Sequence, residues 1–266
     1  MPNLYTDTIH SRQKELKEAV IEIANKNYAS LTTNDLVGGQ ALGKEKESII
    51  KELNELCDAL FQKIEFLNFH LQTIKTFGWD FRGDLEKPME LHDGNLKIKF
   101  NHTDTVDYFI FFAVSGFLST LSSIIDILAE ILRYSFRVNL SGKLPTIKNV
   151  NQEISNEGLR VFIQARFCKN YSYYGMRHLR KCCEHKNHLN ILRVRRVETE
   201  EFPGRIKQIS IEARINTKLM EEDFPTELSQ NSEGEEVDVY CEYLYKKIVE
   251  DIEGFYTELC KVRLTN

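Results

Sequence analysis

The chain has 266 residues, 42% hydrophobic and 28% charged, with thirteen Gly and five Pro, which excludes collagenous, low-complexity and largely disordered proteins and leaves enough apolar residues for a sizeable core. Its net charge of −5, from 35 Lys and Arg against 40 Asp and Glu, gives no general cationic surface of the kind that nucleic acids and membranes attract. The charge is unevenly placed, however: Arg160 to Arg196 holds ten basic residues and one acid, Glu184, so that stretch carries +9 and the rest of the chain −14, and an anionic partner is expected there.

The six cysteines, Cys57, Cys168, Cys182, Cys183, Cys241 and Cys260, are scattered and include a neighbouring pair. This is unlike the regular framework of a small secreted protein and suggests a reducing compartment. The segment from Met1 to Asp7 has no basic stretch followed by an apolar one, so no signal peptide is expected and the cytoplasm is the expected location. No Ser-, Gly- or Pro-rich linker cuts the chain, which predicts a single domain over 1–266.

In chain order, residues 10–29 predict an amphipathic helix with Leu16, Val20, Ile23 and Ala24 on one face, ending before a Thr32-Thr33-Asn34 and Gly38-Gly39 loop. Ile49, Leu53, Leu56, Leu60, Ile64, Leu67, Leu71 and Ile74 then recur at spacings of three and four, predicting a long helix that Gly78 closes. A seam of that length has to lie along other long helices, which predicts a bundle. Met89, Leu91, Leu96, Ile98 and Phe100 alternate around Asp93-Gly94, the signature of a small β-hairpin.

Tyr108 to Ile125 is uncharged and reaches the lower length limit of a membrane span. Four serines interrupt it and Asp126 and Glu130 follow, so a central buried helix is expected, and no membrane partner. Ser115, Ser119, Ser122 or Ser123, Asp126 and Glu130 form one narrow polar stripe, which fits either close packing at small residues or the wall of a site. After Pro145, helices are expected around Asn151 to Lys169 and Tyr173 to His188. Ile191 to Val197 and Ile206 to Ile215 suggest a second small hairpin through Phe202-Pro203-Gly204. The segment from Glu221 to Glu236 reads as a mobile loop, and a last helix is expected over Glu236 to Val262. The expected fold is mainly α: a bundle of long helices with two small β-hairpin insertions, its core about 44–78, 106–190 and 236–262.

There is no Gly-rich phosphate loop ending in Lys-Ser/Thr, no Gly-x-Ser-x-Gly elbow and no His-Glu-x-x-His, so common nucleotide, esterase and zinc-protease chemistries lack their starting residues. The basic stretch from Asn170 to His188 remains, with three of the seven histidines. Cys168, His178, Cys182, Cys183, His185 and His188 lie close in sequence, and His178 and Cys182 are one helical turn apart, as two zinc ligands would be. No Cys-x-x-Cys is present, so no metal and no cofactor is expected; a zinc-binding protein ranks last among the readings.

Arg180-Lys181-Cys182-Cys183-Glu184-His185 matches the Arg-x4-His motif of the HEPN superfamily. The order of a Ser-rich apolar helix with Asp126, a helix carrying the motif and then short strands resembles bacterial HEPN-like families over about Val106 to His188. The resemblance implies a helical bundle working as a homodimer and cleaving single-stranded RNA without metal. It implies Arg180 and His185 as the catalytic pair, in the setting of toxin–antitoxin or phage-defence systems that add a regulatory protein partner. Chemically, attack by the RNA 2′-hydroxyl needs a base, an acid and a cation for the phosphorane charge, and His and Arg suit those tasks. Arg177, His178, Lys181, Lys186 and His188 are expected to bind RNA, Arg177 and Lys181 through phosphates. Tyr171, Tyr173 and Tyr174 fit either stacking on bases or interior packing. Ser119 and Asp126 are expected to support the pair from the central helix. The alternative from another class, favoured by Lys181 directly after the motif Arg, is a non-catalytic module whose basic face docks nucleic acid or an acidic protein.

Overall fold

Apolar residues at helical spacing dominate the chain, and in the computed structural model they form a mainly helical protein. The structure describes residues 13–29, 39–85, 103–169, 173, 176–177, 180, 192–202, 205–215 and 236–265. Six α-helices occur among them: α1 (Gln13–Ala29), α2 (Gly39–Leu85), α3 (Thr103–Ser135), α4 (Ile147–Glu153), α5 (Glu157–Ile163) and α6 (Val237–Thr265). A π-helical turn, Gln164–Cys168, continues α5. The backbone of β1 (Leu192–Phe202) pairs antiparallel with that of β2 (Arg205–Ile215), from Leu192 opposite Ile215 to Phe202 opposite Arg205. The hairpin expected at Asp93-Gly94 and the loop expected at 221–236 lie mostly or wholly outside the described residues.

The chain groups into two compact units. Unit 1 comprises Met1–Phe66, Thr120–Asn170 and Lys246–Asn266. Its interior takes Leu16, Val20 and Ile23 from α1, Leu53, Leu60 and Ile64 from α2, Leu121, Ile125 and Leu128 from α3, and Ile248, Ile252 and Phe255 from α6, all buried. Each such side chain contributes about 1.5–3 kcal/mol by leaving water. Polar ties close the edges. Asp58 accepts from Gln13 at 2.9 Å and pairs with Lys17, and Asn27 donates to the Ser135 carbonyl at 2.9 Å. Tyr256 donates to Glu15 at 2.6 Å, Arg263 pairs with Glu22, and Lys26 donates to the Arg263 carbonyl at 3.0 Å. α6 approaches α5 closely at Gly254, where a Cβ would fall 2.8 Å from the Phe162 ring.

Unit 2 comprises Leu67–Ser119 and Tyr171–Tyr245. Leu67, Leu71 and Ile74 of α2, Val114, Phe117 and Leu118 of α3, and Tyr240, Cys241 and Leu244 of α6 are buried. The His70 ring lies so close over Gly116 that a Cβ there would come within 2.5 Å of it. Lys75 bonds Glu242 at 2.6 Å.

Two local expectations fail. α2 runs through Gly78 to Leu85, because one glycine costs a helix only about 1 kcal/mol, too little to stop one whose apolar seam is already buried. The single helix expected over Asn151 to Lys169 is broken at residues 154–156. Asn156 has an extended backbone, and its side chain accepts from the Leu159 N–H at 3.0 Å, capping a new helix. Ile110–Ser135 of α3 is long and apolar enough to cross a membrane, yet most of its Leu, Ile and Phe side chains are buried within the protein.

Candidate nucleic-acid interface

Of the basic segment, Tyr173, Met176, Arg177 and Arg180 are described, all helical. At 100° per residue these four fall within an arc of about 100°. Within it Tyr173 and Met176 are buried, Arg180 is half-buried and Arg177, at one edge, is exposed. An arginine can lay its methylenes over such apolar residues while its guanidinium stays in water. Tyr173, only 1% exposed, does not offer its ring to a base, so the stacking role expected of it gives way to interior packing. Tyr174, His178, Lys181, His185, Lys186 and His188 lie outside the described residues.

The polar stripe of α3 divides between the units. Ser115 and Ser119, both half-buried, belong to unit 2; Ser122, buried, and Asp126, exposed, belong to unit 1. Glu130 ends the stripe and bonds Arg133 at 2.6 Å, whose guanidinium also lies 4.0 Å over the Tyr134 ring. Burial lowers the Arg133 pKa, but the Glu130 contact outweighs it and the net shift is upward.

A second polar group, in unit 1, was not singled out by any sequence motif. Asp251 of α6 is a buried carboxylate, 1% exposed; Arg166, on the π-turn, lies 3.4 Å from its Oδ1 and Lys247 3.6 Å from its Oδ2. Beside the π-turn, Asn151 of α4 donates to Gln164 at 3.2 Å, and its buried Oδ1 accepts from none of the described residues. No motif marks Asp251, one acid among 40, and its partner stands 85 residues away. Its inward position in the Ile248, Ile252, Phe255 seam was the available signal, since an acid on an apolar face needs a cation.

Among the described residues no three His, Cys, Asp or Glu side chains gather as a metal site requires. No family model, curated protein or solved structure matches the chain.

Proposed function

We propose that this is a HEPN-like protein that acts on single-stranded RNA through the surface between Arg177 and His188, as a metal-independent endoribonuclease. The observation that carries the reading is the exposure of Arg177 and partial exposure of Arg180, one turn apart, in the segment where an acidic chain concentrates its cations. His185 takes the proton from a 2′-hydroxyl, the oxygen attacks the adjacent phosphorus, and a protonated His gives its proton to the departing 5′-oxygen. The products are a 2′,3′-cyclic phosphate and a 5′-hydroxyl. Arg180 stabilises the charge of the phosphorane. Residues five apart on a helix point about 140° apart, so a homodimer reconciles the pair and lets two copies of His185 divide base and acid work. Arg177, His178, Lys181, Lys186 and His188 hold phosphates, Tyr174 stacks on a base, and Ser119 supports the pair. The two hairpin insertions, a cytoplasmic location and a regulatory protein partner in a toxin–antitoxin or phage-defence setting complete the proposal.

The test is cleavage of an end-labelled, unstructured RNA in EDTA. Wild type is expected to release cyclic-phosphate ends, and His185→Ala to lose about 10²- to 10⁴-fold in rate. RNA bound without cleavage by folded wild type selects the second reading, a non-catalytic module. Lys181 beside the motif Arg favours that reading.

A further inference from the structure

We propose that the β1–β2 ribbon holds the phosphate backbone of RNA on the face that Arg193, Arg195 and Arg214 share; the inference rests on the RNA reading above and adds a second contact to it.

The register of the ribbon is the starting point. Arg193 stands opposite Arg214, Val194 opposite Ala213 and Arg195 opposite Glu212. Successive strand residues alternate between faces, and directly opposed residues share one. From Leu192 to Thr199 the ribbon therefore sorts its residues into two sets. One holds Leu192, Val194, Ile209, Ile211, Ala213 and Ile215, with Arg196 and Glu198 as its only charges. The other has Val197 as its only aliphatic residue and carries Arg193, Arg195, Glu212 and Arg214. Antiparallel pairs with this alternation commonly bury one face and leave the other to water.

Three arginine positions thus fall on one face. Opposed Cα atoms in such a pair are about 4.5–5.5 Å apart, and residues two apart on one strand about 7 Å. Arg214 stands outside the basic stretch that ends at Arg196, with Glu198, Glu200, Glu201 and Glu212 between them, and only strand pairing brings it to Arg193. Like charges directly opposite each other destabilise a ribbon. The single acid of this face, Glu212, is opposite Arg195 and leaves Arg193 facing Arg214 in register, a cost that an anion binding both offsets. The planar fork of a guanidinium matches phosphate oxygens, and a chain of phosphates, unlike a single ion, meets cations spaced along a strand. Arg196, equally charged and next in sequence to Arg195, belongs to the opposite set.

The test uses the full chain and a fluorescent single-stranded oligouridine titrated over a salt series. Arg193→Gln and Arg214→Gln are each expected to flatten the slope of log K against log salt by about 0.7, the share of one phosphate on a single strand, and so to weaken binding about fivefold at about 0.1 M salt. Arg196→Gln is expected to match wild type; a loss equal to that of Arg214→Gln means that charge in bulk attracts the RNA, and overturns the proposal. Without RNA, removing one of two opposed cations is expected to leave the thermal midpoint level or higher, whereas a midpoint lowered by several degrees in both variants makes the arginines structural and counts against the contact. If both variants bind as wild type does while Arg177→Ala is impaired, this inference fails and the RNA reading stands; if wild type binds no oligouridine, both fail. Displacement of the labelled strand by polyglutamate as readily as by unlabelled oligouridine assigns the face to an acidic protein instead. Wild type gives an answer without any variant: oligouridine is expected to protect Arg193, Arg195 and Arg214 from phenylglyoxal more than Arg196, and equal protection contradicts the shared face.

Discussion

Cys57 lies on the turn of α2 that carries Asp58, yet the two side chains meet opposite surroundings. The thiol is 1% exposed, and burial pushes its pKa up from 9.0 to about 12, with Lys17 opposing and Asp58 adding to the shift. A thiol whose pKa is raised on folding stabilises the native state fully below its unfolded value. That contribution is lost as the pH rises from 9.0 towards about 12. In native protein at about pH 8, where the thiolate is the reactive form, iodoacetamide is expected to leave Cys57 unmodified and to label the half-exposed Cys260. Peptide mass mapping checks this, and native labelling of Cys57 at the rate of denatured protein contradicts it. Residue-level burial was only partly readable from sequence. The periodic reading put Leu56 in the seam, whereas Leu56 is half-buried and Cys57 takes the inward position. A small apolar thiol is an ordinary core residue, and hydrophobic periodicity searched for through aliphatic residues passes over it.

Secondary structure was more readable where a long apolar seam fixed it. Leu53, Leu60, Ile64, Leu67, Leu71 and Ile74 are buried on α2, and Leu16, Val20, Ile23 and Ala24 on α1, because burial of an entire stripe outweighs local exceptions such as Gly78. Between α3 and the basic segment the elements are short, with seven residues in each of α4 and α5. There single hydrogen bonds decide. The Asn156 cap to Leu159 at 3.0 Å is one such bond, and Asn156→Ala is expected to cost about 1 kcal/mol, read as a lower urea midpoint with an unchanged slope. A change below about 0.3 kcal/mol would mean that the α5 start is held by packing alone. The π-turn had no sequence signature either, since nothing in Gln164 to Cys168 departs from ordinary helical residues.

At the scale of the whole molecule, α1 is bound to α6 by contacts between residues 237 to 241 apart. Partial burial pushes the Glu22 pKa up, but hydrogen bonds and charge from Arg263 and then Lys26 outweigh it, and the carboxyl titrates below 4.5. A depressed carboxyl stabilises the fold above its unfolded value, and the contribution is lost as the pH falls through the folded value. The difference in urea midpoint between wild type and Glu22→Gln is therefore expected at about pH 6 and to shrink towards about pH 3. It should be modest, since the Glu22 and Arg263 side chains are 38% and 37% exposed. A constant difference would mean that the glutamine acts through packing rather than charge. The charge asymmetry of the basic segment was plain in the sequence, with Arg177 and Arg180 among its cations. The pairing of Asp251 with Arg166 was not, because a contact across 85 residues is a property of the fold.

The order in which the chain leaves the ribosome gives these long-range contacts a further meaning. Unit 1 draws on three separated stretches, the last beginning at Lys246, so α1 and the first part of α2 are synthesised well before the helix that closes over them. During that interval Leu16, Val20, Ile23 and their neighbours have no α6 to cover them, and such surfaces attract other nascent chains. Translation must pass through Phe255, Leu259 and Val262 before the native interior can close. Folding of unit 1 therefore waits for the synthesis of α6, and in the meantime the apolar faces of α1 and α2 are natural clients for a chaperone waiting at the exit tunnel.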